Sequence, residues 1–144
     1  MRKVIVLALV LFSLTVADLY AQTVPNIKGS WSGQFQSLVD NQAGTSSLVI
    51  STQQPVSQQK SKVIGTIIVK PTHCGTASAR VKGTINNRGY ISLTGALSCS
   101  TGDSEPFRLK GWVHGTTYIG GAYAIMLSGQ LDDAGPVRLV KQKP

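Results

Sequence analysis

The feature that most limits how this chain can fold is a two-residue rhythm. From about residue 28 onward, short runs alternate apolar and polar side chains, and clusters of Gly, Asn, Asp, Pro and Ser separate them. A strand points successive side chains to opposite faces, so a period of two with one apolar phase marks a strand with one dry face and one wet face. No run after the first 21 residues sustains the 3.6-residue period of a helix. The chain is therefore expected to be all-β.

Eight runs are expected as strands, at about 28–37, 44–53, 61–70, 77–86, 89–99, 106–115, 117–127 and 135–142. The rhythm is clearest in the fourth to sixth. Ala77, Ala79, Val81, Gly83 and Ile85 share one phase, opposite Ser78, Arg80, Lys82, Thr84 and Asn86. Ile91, Leu93, Gly95, Leu97 and Cys99 fall together, as do Phe107, Leu109, Gly111 and Val113, which lie opposite Arg108, Lys110, Trp112 and His114. Such sheets are antiparallel and cover a core on one side. Asn86-Asn87-Arg88-Gly89 and His114-Gly115-Thr116 have the composition of tight hairpin turns. Asp132-Asp133-Ala134-Gly135 is expected to turn into the last run. Longer connections are expected at 37–43, 53–60, 71–76 and 100–105; the polar segment 53–60 contains Pro55 and reads as a mobile loop.

Glycine recurs within the runs, in Gly33-Gln34-Phe35, Ile64-Gly65-Thr66-Ile67, Lys82-Gly83-Thr84-Ile85, Lys110-Gly111-Trp112-Val113 and Gly120-Gly121-Ala122-Tyr123. Strand glycines mark bends and close backbone approaches. Eight hairpin-linked strands of about ten residues fit an antiparallel up-and-down barrel, closed so that no sheet edge remains. A two-sheet β-sandwich is the alternative. The small inward residues Gly33, Gly65, Ala77, Ala79, Gly83, Gly95 and Gly111 have two readings. They leave room for a ligand, or they serve tight coiling around Trp31 and Phe35.

The first 21 residues carry an address. Arg2 and Lys3 precede the unbroken apolar run from Val4 to Phe12, and small residues follow at Ala17 and Ala21. This is the layout of a secretory signal peptide, with cleavage after Ala21 or Ala17. The expected mature domain is residues 22–144, secreted or periplasmic. Removing Arg2, Lys3 and Asp18 leaves twelve basic and five acidic residues, a net charge of +7. Those basic residues are dispersed along the sequence, which reads as a solubilising surface more than a nucleic-acid site, and no nucleic-acid partner is expected. Membrane insertion of the mature chain is not expected either: Arg80, Lys82, Arg108 and Lys110 sit mid-strand on the outer face, where an outer-membrane barrel is apolar.

The two cysteines, Cys74 and Cys99, read as a disulfide in an exported chain. In an up-and-down meander the connections after strands three and five lie at the same end, so topology brings the pair to one rim. No metal site is expected, because no Cys-x-x-Cys or His-x-x-x-His spacing exists. Asp103, Glu105, Asp132 and Asp133 read as solvated turn acids, not as an acid–base pair. The sequence has no Gly-x-Ser-x-Gly elbow and no Walker loop. His73 and His114 read as rim and turn residues. No catalytic residue, no cofactor and no enzyme activity are expected.

Gly29-Ser30-Trp31-Ser32-Gly33-Gln34-Phe35, opening an eight-strand meander, resembles the start of the calycin barrels, the lipocalins and avidins. The segments Val63-Ile64-Gly65-Thr66-Ile67 and Val137-Arg138-Leu139-Val140-Lys141 also look like avidin strands. The chain is more similar still to small secreted bacterial β-barrels of unassigned function with Gly-Thr-Trp-x-Gly and Gly-Thr-x-x-Gly repeats and two cysteines. The resemblance implies that Trp31 packs across the closed end of the barrel. It does not extend to biotin, which avidins hold between several tryptophans where the mature domain here has only Trp31 and Trp112, nor to the C-terminal lipocalin helix. The expected function is a non-enzymatic binding module for a small or apolar ligand, with Trp31, Phe35, Trp112 and Tyr123 as candidate ligand-facing residues. The alternative is a cell-envelope interaction or inhibitor protein that meets an envelope protein or glycan with its loops and basic outer face.

Overall fold

The computed structural model describes residues 23–144; the expected signal peptide and both candidate cleavage sites lie outside them. Eight antiparallel strands follow in chain order: β1 (Gly29–Gln36), β2 (Ala43–Ser57), β3 (Lys60–Thr72), β4 (Gly75–Asn86), β5 (Tyr90–Cys99), β6 (Ser104–His114), β7 (Tyr118–Leu127) and β8 (Gln130–Lys141). Each strand pairs with its neighbour in sequence, and β1 pairs with β8 to close the barrel. The expected up-and-down barrel is the observed fold, and the sandwich is not. Inward positions alternate with outward ones as the rhythm in β4 to β6 requires, and the inward set forms one buried core.

The two ends of the barrel differ. At one end the interior is filled by Trp31, Ile50, Val63, Ile85, Ile91 and Ile119, all buried. Trp31 is fully enclosed, and its indole N–H donates to the Ile27 carbonyl at 2.9 Å. The Gln53 amide clips the lead-in segment to β2: its oxygen accepts the Ile27 N–H at 2.9 Å, and its nitrogen donates to the Pro25 carbonyl at 2.9 Å. Indole N–H groups need a partner when buried, and here the backbone supplies it.

The inward glycines serve coiling. A Cβ at Gly83 would be driven into the Ser92 carbonyl oxygen on β5, and one at Gly33 into the Arg138 carbonyl on β8. Both obstacles are backbone, so neither can swing aside. Gly83→Ala is expected to lower stability by about 1–3 kcal/mol through overpacking, read as a lower denaturant midpoint at unchanged slope.

Three expected connections are largely strand instead, among them 71–76, where β3 runs to Thr72 and β4 starts at Gly75. The segment 53–60 is mostly hairpin: β2 runs to Ser57 and β3 starts at Lys60, with register shifts at Ile50/Thr52 and Pro55/Ser57. The β1 ladder on β2 stops at Ile50, so Pro55 stands on an arm with one neighbour, at a bulge, where its missing N–H costs no ladder bond. Likewise Asp132 and Asp133 lie within β8 and not in a turn. The reversal falls at Ser128-Gly129, both at positive φ (49° and 80°), which suits a two-residue hairpin turn.

Candidate functional site

The end of the barrel opposite Trp31 is open. Here the connections β1–β2, β3–β4, β5–β6 and β7–β8 surround a cavity of about 400 Å³. Its walls are Ile67 and Val69 of β3, Leu97 of β5, Phe107 and Leu109 of β6, and Val137 of β8. The cavity volume lies within the range of small-molecule sites.

One polar knot organises the mouth. Ser37, buried just beyond β1, donates its hydroxyl to Asp133 Oδ1 at 2.6 Å, while its oxygen accepts the N–H groups of Val39 and Asp40 at 3.2 Å each. Tyr123, inward on β7, donates its phenol to Asp133 Oδ2 at 2.8 Å. Burial first, then the bond and charge of Asp133, raise the Tyr123 phenol well above its ordinary value, so it stays a donor. The Phe35 ring packs edge-on against Tyr123 at 5.6 Å. The Leu38 N–H donates to the Ala134 carbonyl at 2.9 Å, fixing the β1–β2 connection to β8. The Ser37 side chain and then the Gln42 N–H hold the Asp40 carboxyl below the usual carboxylate range.

Cys74 and Cys99 form the expected disulfide on this rim, with Cα atoms 5.9 Å apart. The His73 imidazole lies within 4.8 Å of both sulfurs. Sulfurs bonded to each other offer no thiolate for a metal.

Of the four aromatics expected to face a ligand, Phe35 and Tyr123 line the cavity. Trp31 closes the opposite end. Trp112 lies on the outer wall, exposed, against Tyr90 at 5.1 Å. Among the lining residues that carry no ligand-facing expectation from the sequence are Ser37, Ser46, Glu105 and Asp133. Glu105 and Asp133 are expected to be solvated turn acids; both sit in strands instead, half-buried. A signal for Asp133 does exist, because counting by twos from Leu139 through Val137 and Gly135 reaches it.

No protein-family model matches this chain, and no curated protein does.

The outer wall is a second feature. The pairing Lys82–Thr94–Arg108 runs straight across β4, β5 and β6, with Lys110 opposite Ser92 one step away. The pair Arg80 and Lys82 lies far in sequence from the pair Arg108 and Lys110, yet the strands that carry them are only about 10 Å apart across β5. The sequence-level dispersal of charge thus becomes a basic patch on one side of the barrel.

Proposed function

We propose that the protein is an exported, non-enzymatic binding module of calycin-like type that takes a small apolar ligand into the open end of its barrel. The observation that carries this reading is the cavity of about 400 Å³ beneath the β1–β2 connection, walled by aliphatic and aromatic side chains and reached from solvent. The disulfide supports an oxidising compartment, secreted or periplasmic. A non-enzymatic role is supported by the chemistry of the lining: both Asp133 oxygens already accept hydroxyl protons, and Tyr123 is held as their donor. No strand is assigned to a bilayer, since arginine and lysine stand mid-strand on the outer face.

The test is a titration with N-phenyl-1-naphthylamine, a neutral probe whose emission rises in apolar surroundings. Saturable one-to-one binding is expected, and Val69→Trp, which places an indole in the cavity, is expected to abolish it in a folded protein. Emission that rises without saturation, or that survives Val69→Trp, would overturn the reading.

The basic patch on β4 and β6 favours a second reading, an envelope interaction protein that docks on an anionic protein or glycan. Retention of an envelope partner at low salt and its release at high salt, weakened by charge reversal at Lys82 and Arg108, is the expected behaviour.

A further inference from the structure

The charge of the cavity mouth runs against the charge of the protein. Residues 23–144 carry twelve basic and five acidic side chains. Four of those five acids, Asp40, Glu105, Asp132 and Asp133, line the cavity, and none of the twelve lysines and arginines does. The barrel as a whole attracts anions, while its mouth repels them.

A second observation lies deeper. Ser46 points inward on β2, between Gly33 of β1 and Val69 of β3, and is 4% exposed. Ser46 belongs to the cavity lining, and its Oγ is the buried side-chain polar atom without a hydrogen-bond partner among the described residues. A buried hydroxyl without a partner is costly, and a ligand atom in the cavity can satisfy it.

Metal coordination does not account for the mouth. Calcium needs several oxygens at 2.3–2.6 Å. Among the described residues, no three of the carboxylates bring their oxygens within 4.8 Å of one another. Acids spread around an apolar opening suit a diffuse organic cation, whose charge leaves water only where carboxylates receive it.

Resting on the reading of the cavity as a ligand site, we propose that its ligand is an organic amine: an apolar body, a cationic ammonium held by the mouth carboxylates, and a polar atom further along that meets the Ser46 hydroxyl. Asp133 is the fixed element of the mouth. Ser37 and Tyr123 each take one lone pair, one from either oxygen, and each oxygen keeps a second to accept from the ammonium. Asp132 and Glu105 add negative charge without a hydrogen bond of their own among the described residues. Leu127, half-exposed at the end of β7 and part of the cavity lining, gives the amine's apolar part a surface at the opening.

The experiment is displacement of N-phenyl-1-naphthylamine from the folded, oxidised protein by three compounds with one skeleton: 4-phenylbutylamine, 4-phenylbutyrate and 4-(4-hydroxyphenyl)butylamine. The amine is expected to bind at least about tenfold tighter than the carboxylate. Glu105→Gln combined with Asp132→Asn should bring that ratio towards one, and Asp103→Asn, outside the lining, should leave it unchanged. The hydroxylated amine should bind tighter than the plain amine to the wild type, and equally to Ser46→Ala. Equal or tighter binding of the carboxylate overturns the proposal, as does a ratio indifferent to the mouth acids. Loss of the preference in millimolar calcium chloride, against sodium chloride of equal ionic strength, assigns the mouth to a metal and also overturns it. Absence of a hydroxyl gain removes Ser46 from the ligand and with it the proposed polar atom. A neutral probe that never binds overturns instead the ligand-site reading on which all this rests.

Discussion

Trp31→Ala is expected to lower stability by about 3–5 kcal/mol, the range for emptying a buried aromatic site. Trp31 sits among Ile50, Val63, Ile85, Ile91 and Ile119 with no exposure, and its neighbours belong to a closed sheet that cannot collapse into the gap. The substitution also leaves the Ile27 carbonyl without its indole donor. Trp31→Phe keeps most of the volume and loses only that bond, so it should cost clearly less. Chemical denaturation of the two variants checks the order. A cost for Trp31→Ala near that of a surface change would mean that the closed end is not held by this side chain. Because the cavity lies at the other end, residual folded Trp31→Ala should bind the naphthyl probe as the wild type does.

Replacing Cys74 and Cys99 together with serine is expected to lower stability by about 2–4 kcal/mol, with the strand order unchanged. The bridge closes a 25-residue separation across the rim, for which the chain-entropy account gives about 3.5 kcal/mol. The same variant should weaken probe binding, since the bridge ties the β3–β4 turn, with Thr72 and His73 of the cavity lining, to the β5–β6 connection. Equal denaturation midpoints for the oxidised wild type and the serine variant would refute the stabilising role. Two titratable thiols in the denatured, non-reduced wild type would refute the bridge itself.

The barrel is legible in the sequence because each strand states its own inward phase. Phe107, Leu109, Gly111 and Val113 name a dry face without help from any other segment, and Asn86 to Gly89 names its turn. The Pro55 arm is not legible, because a proline reads as a break until pairing shows that its open side has no neighbour. At the start of β8, Asp-Asp-Ala-Gly has the composition of a turn, but Ser128-Gly129 reverses the chain first. That local competition hides Asp133, and with it the knot of Ser37 and Tyr123, residues 96 and 10 positions away in sequence. Ser46 shares the inward phase of Leu48 and Ile50, so its position can be read, but its lack of a partner cannot. The partition of charge into an acidic mouth and a basic wall depends on which strands lie side by side, which no local pattern states.

Both described ends of the chain leave the barrel at the plugged end. The lead-in residues Pro25 to Ile27 are clipped there by Gln53, and Gln142 donates its N–H to the Ser30 carbonyl at 2.8 Å beside them. A tether, a fusion partner or a solid support attached at either terminus therefore sits a full strand length behind the cavity, and the opening faces away from whatever holds the protein. Orientation on a surface comes from the covalent layout alone: any copy anchored by its ends presents its mouth to the surrounding solution, clear of the anchor.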